Sequence, residues 1–472
     1  MKVNKLCRRL GLPLAIFNHD IFQITDDSRS CIENSIFFAI SGSRIDGHDL
    51  IDKAIDNGAA TIFLEHKVKE RLGVNYIYCH STKRYLAIAL KEYHKYATKR
   101  LKIIGVIGTN GKTTTSTLIY NYLQFINLNS MLIGSNGCYA KDFYHQHENT
   151  TPKATELYSY FEYARNHKIK YIVMEISSIA VSELRVLGID FNTIIYTNFS
   201  EDHLDYHKTM DRYLFAKLIP FYKLQENKNV IVNLDDKFSE YVIKHSTANI
   251  IGYSIRNESK YKVSNLIHNE YGMEMDINNI HVRSNLLGRF NAYNILPLFS
   301  LCEALSISST CIPEFLNQFK QVDGRMNVFE LNGRNVIIDY AHTEEAIKSV
   351  IKVVKELAKG DIYIVLGCGG NREREKRTKI GKLLDNEKCI NIITSDNSRF
   401  ENPEDIINEI LLGFSQRPIV IIDRKEAIMY ALNKSKENDY ILILGKGVEN
   451  YLDINGKKEP YSDLDVINEY RG

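Results

Sequence analysis

An unbroken apolar run at 102–108 (KIIGVIG) leads directly into 108–115 (GTNGKTTT), and a helical pattern starts near Lys112. A glycine loop between a buried strand and a helix start restricts the chain to a small group of α/β architectures. Glycines let backbone N–H groups close around phosphate oxygens, and the helix N-terminus adds a favourable dipole. Within this loop Gly108, Thr109, Asn110, Gly111, Lys112, Thr113 and Thr114 are the candidate nucleotide contacts. Lys112 is placed to meet the terminal phosphates of ATP and Thr113 to ligate Mg²⁺. The spacing departs from the general G-x-x-x-x-G-K-[ST], because the glycines before Gly111 are Gly105 and Gly108, and neither 106 nor 107 is glycine. A turn that only caps a helix is the plain alternative, and strand, turn and helix in that order argue against it.

The rest of the chain repeats the same alternation. Before residue 98, strand-like runs at 35–40, 61–64 and 76–79 alternate with helical stretches at 50–57 and 83–97. Further buried-strand candidates follow at 171–176, 193–197 and 229–233, separated by helix-length segments. After Gly324 the pattern restarts, with strands at 335–339, 361–367, 389–394, 418–422 and 440–444 between helices at 344–358, 377–385, 403–412 and 425–433. Such alternation predicts parallel sheets flanked by helices. The expected fold is α/β in three domains, 1–98, 99–326 and 327–472. The middle one is of P-loop type and the last is Rossmann-like, which agrees with roughly 150 residues per domain over a 472-residue chain.

Composition removes other classes. Sixty Lys and Arg against 58 Asp and Glu leave a formal charge of +2, with no long run of like charge, so bulk electrostatics favours neither nucleic acid nor a membrane surface. Eight scattered cysteines form no C-x-x-C pair, which predicts neither a disulfide framework nor a zinc site and fits a reduced cytoplasm. No stretch approaches ~18 consecutive apolar residues, and the N-terminus has no apolar segment of signal length.

The loop is similar to that of the Mur ligase superfamily, and other segments extend the likeness over nearly the whole chain. The stretch at 26–59 (DDSRSCIENSIFFAISGSRIDGHDLIDKAIDNGA) resembles the UDP-sugar domain of the UDP-N-acetylmuramoyl-tripeptide synthetase branch. So do TTP (150–152), MEISS (174–178), TNFSEDHLDYHKTMDRYLFAK (197–217), GRFNAYN (288–294), DGRMNV (323–328) and DYAHT (339–343). GCGGNREREKR (367–377), SDNSR (395–399) and GKGVENY (445–451) complete the set. A folylpolyglutamate synthase would share the loop but lack the N-terminal domain.

The resemblance implies ATP-driven joining of a carboxylate to an amine through an acyl phosphate. The implied reaction adds meso-diaminopimelate to UDP-N-acetylmuramoyl-L-Ala-D-Glu in peptidoglycan synthesis, by a cytoplasmic monomer. Two anions must approach one another in such a reaction, so cations must neutralise the encounter. By this likeness Thr113 and Glu175 hold one Mg²⁺, and His203 and a carbamylated Lys217 hold a second. Carbamylation turns a cation into an anionic oxygen ligand. Asn291, Arg325, Asp339 and His342 match the nucleotide contacts. Ser28, Arg29, Asn149, Thr150, Thr151, Ser177, Glu183 and Arg185 match the UDP-sugar contacts. Arg372, Asp396, Asn397, Ser398, Arg399, Gly445 and Glu449 match the amino-acid contacts. Arg399 is the expected clamp for the distal carboxylate that distinguishes diaminopimelate from lysine, because a guanidinium fork matches a carboxylate with two parallel hydrogen bonds.

Each assignment has a plainer reading: a solvated acid for Glu175, a surface histidine for His203, a snorkelling side chain for Lys217, loop polarity for the rest. The sequence also departs from the family's pattern. Ile179 stands in place of His, Glu183 of Gln, Asn371 of Asp, Thr378 and Ser398 of Pro, and Val448 of His. These departures fall around the acceptor and the amino acid. Two other readings therefore stay open: a paralogue adding lysine or another amino acid, and a non-catalytic UDP-sugar-binding partner subunit.

Overall fold

The computed structural model describes residues 1–42 and 45–471, which build three large sheets, each backed by helices, and one two-stranded hairpin. Ser43 and Arg44, inside the 26–59 stretch, and the terminal Gly472 lie outside the described residues.

The first sheet is all parallel, in the order Gln23–Thr25, Ser35–Phe38, Ala59–Leu64, Asn75–Tyr78. Its second strand is buried at every position, as expected of a strand covered on both faces. The helix Thr82–Tyr93 buries Leu86, Ala89 and Leu90. That face belongs to the same apolar core as Leu157, Tyr158 and Phe161 of the next domain's helix Ala154–Asn166. The first two domains therefore share one core.

In the large central sheet Lys102–Ile107 lies between Tyr171–Ile176 and Thr193–Tyr196, parallel to both. Strands on either side of Lys102–Ile107 lead away in opposite directions, so the crevice beyond their C-terminal ends is the natural ligand position. Loop 108–111 and the helix Lys112–Phe125 start there. The expectation of a purely parallel sheet is corrected at both edges. Gly137–Ala140 and Phe143–His145 extend one side in antiparallel fashion, and Gly272–Ile277 and Ile280–Ser284 extend the other. At the second of these edges the reason is local: Asn278 and Asn279 both take positive φ, 48° and 65°, which suits the twist of a two-residue hairpin.

The third sheet runs Asn327–Leu331, Arg334–Asp339, Tyr440–Leu444, Ile362–Leu366, Ile390–Ile393, Ile419–Val420. Its first pair is antiparallel around Asn332–Gly333, and the rest are parallel. A separate hairpin, Tyr451–Ile454 with Lys457–Pro460, turns at Asn455–Gly456 in the same way. The C-terminal ends of the second and third sheets face one another across a cleft of about 560 Å³. All eight cysteines are free, and no helix among the described residues is long and apolar enough to cross a membrane.

Candidate active site

Close packing explains why two positions of the 108–111 loop must be glycine. A Cβ on Gly108 would lie 1.9 Å from Thr197 Oγ1. Gly111 has φ 83°, and a Cβ there would lie 2.4 Å from Asn294 Oδ1. The loop is pinned from below: Asn110 N–H donates to Asn198 Oδ1 at 2.9 Å, and Thr197 Oγ1 donates to the Asn110 carbonyl at 2.7 Å. Lys112 Nζ donates to the Gly108 and Thr109 carbonyls at 3.1 and 2.8 Å, and burial lowers its pKa.

Thr113 Oγ1 donates to Glu175 Oε2 at 3.0 Å, joining the helix start to the end of strand Tyr171–Ile176. Ser135 supplies a backbone N–H to Glu175 Oε1 at 2.9 Å and a hydroxyl to Oε2 at 3.2 Å. Arg325 Nη2 donates to Thr113 Oγ1 at 3.1 Å while its guanidinium lies 4.4 Å from the Tyr340 ring centre. Asn291 also lines the cleft, with its amide bonded to the Leu287 carbonyl and its oxygen to Asn294. Asp339, buried where it lines the cleft, accepts the N–H groups of Met326 and Ala341 at 2.7 Å each, and burial raises its pKa.

Asp202 is the charged centre of the cleft. Its carboxylate is 3.5 Å from His203 Nε2, 4.0 Å from His342 Nε2 and 3.7 Å from Lys376 Nζ. Burial opposes its charge, yet His203, His342, Lys376 and Lys112 outweigh burial and hold its pKa far below the ordinary carboxylate range. Burial pushes both histidines down to about 4, so at neutral pH their imidazoles are uncharged and have a lone pair to offer. Behind them Lys217 is 2% exposed, donates to the Gly108 carbonyl at 2.5 Å and lies 4.7 Å from the Tyr213 ring centre. It has no ion pair among the described residues. Burial first, then the Lys112 charge, lowers its pKa well below the ordinary amine value, against the weaker pull of Asp202.

The residues assigned to the UDP-sugar are only partly brought together. Thr151 Oγ1 donates to the Glu175 carbonyl and accepts from Ser177 N–H, and Arg185 Nη1 donates to the Thr151 carbonyl at 3.0 Å. Thr150 lines the main cleft beside Ser135, and Asn149 is half-buried just before it. Glu183 is tied to Lys83 of the first domain at 2.5 Å and to Tyr206 at 2.6 Å, so the acid in place of glutamine acts as an interdomain strut. Ser28 and Arg29 stand apart on a turn of the first domain. Ser28 is buried, and Arg29 is exposed and paired with Asp27 at 2.8 Å.

The residues assigned to the amino acid converge on the cleft's other end. Arg372 approaches Asp205 at 3.5 Å. Asn397 Nδ2 donates to Glu449 Oε2 at 2.7 Å, and Asn397 Oδ1 accepts from Lys446 Nζ at 3.1 Å. Fully buried Lys446 also donates to Glu449 at 3.1 Å and lies 3.8 Å from Asp396. Behind Asp396, buried Arg424 pairs with Asp463 at 2.8 Å. Gly445 has φ 109° beneath the Asp396 carboxylate, and buried Ser398 gives its carbonyl to Glu401 N–H at 3.0 Å. Arg399, with φ 51°, lines the cleft and donates to the Gly370 carbonyl at 2.5 Å. Sequence reasoning had not singled out Asp202, Lys376, Ser135 or Lys446. Asp202, Lys376 and Lys446 lie inside recognisable segments; Ser135 lies in none and emerges only from the fold.

A phosphate-type loop, a hydroxyl and a carboxylate side by side at its end, and a charged cleft between two α/β domains define an ATP-dependent ligase of the three-domain kind. The Mur ligase middle-domain model matches 106–301, the Mur ligase glutamate-ligase-domain model 324–447, and the Mur ligase family catalytic-domain model 20–94. The UDP-N-acetylmuramoyl-L-alanyl-D-glutamate–2,6-diaminopimelate ligase 1 of Clostridium acetobutylicum is 35% identical over 96% of this chain and 95% of its own length. A solved structure of a UDP-N-acetylmuramoyl-L-alanyl-D-glutamate–2,6-diaminopimelate ligase aligns with TM-score 0.68 and 28% identity, covering 96% of this chain and 95% of that one. The MurF ligase of Thermotoga maritima in complex with ADP shares the fold at TM-score 0.66 and 19% identity, over 95% and 96% of the two chains. The chain belongs to the Mur ligase family.

Proposed function

We propose that this chain is the ligase that adds meso-diaminopimelate to UDP-N-acetylmuramoyl-L-Ala-D-Glu, with ATP converted to ADP and phosphate. It acts in the cytoplasm as a monomer, on small-molecule substrates, without nucleic acid or membrane. Residues 1–98 serve the UDP-sugar, 99–326 the ATP, and 327–472 the amino acid. The observation that carries this reading is one continuous cleft lined at one end by Lys112, Thr113 and Glu175 and at the other by Asp396, Asn397, Arg399 and Glu449.

The acceptor's carboxylate is a poor electrophile and first takes the γ-phosphoryl group of ATP. The diaminopimelate amine then attacks the acyl carbon, and phosphate leaves. Lys112 and Arg325 face the phosphates and offset the charge that develops there. Oxygen donors from Thr113 and Glu175, 3.0 Å apart, fit the hard-cation preference of Mg²⁺. Neutral His203 and a carbamylated Lys217 suit a second Mg²⁺, whereas an ammonium at 217 does not. When bound, Mg²⁺ neutralises phosphate charge and favours approach of the two anions. Lys217 is suited to modification because a buried amine without a counterion is held uncharged, and only the uncharged amine takes up carbon dioxide.

The test is ADP release measured with each substrate omitted in turn. The reading expects turnover only when ATP, UDP-muramoyl dipeptide and diaminopimelate are all present. ADP release that ignores the muramoyl dipeptide would defeat it. The partner-subunit alternative would show UDP-sugar binding with no ADP release at all.

A further inference from the structure

We propose that Asp453 is a built-in counterion of Arg399 and sets how sharply the amino-acid pocket separates a substrate with a distal carboxylate from one with only a distal ammonium. The proposal rests on the functional reading above and extends it to a residue outside the segments that carry the family resemblance.

The backbone fixes the two residues side by side. Arg399 N–H donates to the Asp453 carbonyl at 2.8 Å, and Asn455 N–H donates to the Arg399 carbonyl at 2.6 Å. Asp453 N–H donates to Asn397 Oδ1 at 2.9 Å. The hairpin that follows Glu449 is thus stitched to the 397–399 loop as a short parallel bridge between Arg399 and Ile454. In this arrangement Asp453 Oδ2 lies 3.9 Å from Arg399 Nε, while Oδ1 is buried with no hydrogen-bond partner. The backbone bonds already hold the hairpin, so the carboxylate is not needed for that purpose. Its remaining influence is its charge.

An arginine clamp rejects lysine because lysine leaves the guanidinium buried and unpaired. Arg399 is not in that position. Its Nη1 already has the Gly370 carbonyl, and its Nε side faces the Asp453 carboxylate. Lysine therefore meets a guanidinium that is partly satisfied, and the penalty on lysine shrinks. A distal carboxylate must share the same guanidinium with an anion, so the gain from diaminopimelate shrinks too. Both effects blunt the preference, and both act through Arg399.

The experiment measures kcat/KM for meso-diaminopimelate and for L-lysine in the wild type, Asp453→Asn, Arg399→Ala and the double variant. Asparagine keeps the shape and removes the charge. The ratio of the two kcat/KM values should rise about tenfold in Asp453→Asn, with diaminopimelate improved and lysine unchanged or worse. In the Arg399→Ala background the same substitution should leave the ratio within about twofold, since coupling of this kind exists only while both partners are present. Asp453→Glu, which keeps the charge, should stay near the wild-type ratio and serves as a second readout should the asparagine variant fold poorly. An unchanged ratio in Asp453→Asn, or an equal change with and without Arg399, overturns the counterion. Wild-type turnover of neither amino acid overturns the ligase reading and this proposal with it, whereas an unchanged ratio overturns this proposal alone.

Discussion

Lys217 and Lys446 sit just behind opposite ends of one cleft, 2% and 0% exposed, and their surroundings are opposite in kind. Lys446 is enclosed by carboxylates and an amide: Glu449 and Asn397 at 3.1 Å and Asp396 at 3.8 Å. Lys217 has a carbonyl and an aromatic ring, with the Lys112 charge nearby. Burying an ammonium is tolerable only when anions or strong acceptors replace water. Lys446 meets that condition and can serve as a fixed charge that orients Asp396, Asn397 and Glu449. Lys217 does not meet it as a cation, and so it suits a role as an uncharged amine open to modification. Two lysines of equal burial thus have different chemistry, and the neighbours decide which.

The largest expected effect breaks the comparison at Lys217. Lys217→Ala should reduce ligation roughly ten-thousandfold, equivalent to ~5–6 kcal/mol of barrier, while leaving the fold intact. A short carboxylic acid in the buffer should restore part of the rate by standing in for the proposed carbamate, and steady-state kinetics with a thermal melt will check both. Near-normal turnover of this variant in bicarbonate-free buffer would remove the role assigned to the lysine.

Stability should separate the two lysines in the opposite order. Lys446→Met leaves Glu449 and Asp396 facing each other without their shared cation, and should cost ~3–5 kcal/mol of stability. Lys217→Met removes an amine with no counterion, and the Gly108 carbonyl keeps Lys112 as a donor, so its cost should be below ~1 kcal/mol. Denaturant unfolding of the two variants side by side measures the difference.

Next in size is Lys112→Ala, which should lower kcat/KM for ATP about a hundredfold, or ~3 kcal/mol, because this ammonium meets charge that grows as the phosphoryl group moves. Titration with the UDP-muramoyl dipeptide should show little change in affinity, since the residues assigned to that ligand lie around Thr151 and Arg185 and in the first domain. Arg399→Ala should cost diaminopimelate ~2 kcal/mol, at the low end for truncating one partner of a buried charge pair, because Asp453 already shares the guanidinium. Lysine turnover by the same variant should hardly move.

Much of this was legible before any coordinates. Tyr171–Ile176, Asn229–Asn233 and Tyr440–Leu444 are strands with the bounds that their apolar runs suggest, and the helix after the glycine loop starts at Lys112. The hairpins Gly272–Ile277/Ile280–Ser284 and Asn327–Leu331/Arg334–Asp339 rest on Asn-Asn and Asn-Gly turns rather than on apolar periodicity, which is why the sequence does not announce them. The nucleotide end was readable because Lys112 and Thr113 are neighbours in one loop. Nothing local pointed to the charge around Arg399: Asp453 bonds to a side chain 56 residues earlier, through a hairpin that folds back on the loop. The environment of Lys217 was equally invisible, since its carbonyl partner is 109 residues away.

The most direct test is intact-mass analysis of the nucleotide-linked product after incubation with ATP, Mg²⁺, UDP-N-acetylmuramoyl-L-Ala-D-Glu and an equimolar mixture of meso-diaminopimelate and L-lysine. The account predicts a UDP-muramoyl tripeptide carrying diaminopimelate as the main product, with one ADP formed for each bond made. A product carrying only lysine, or ADP formed with the dipeptide left unextended, would contradict it.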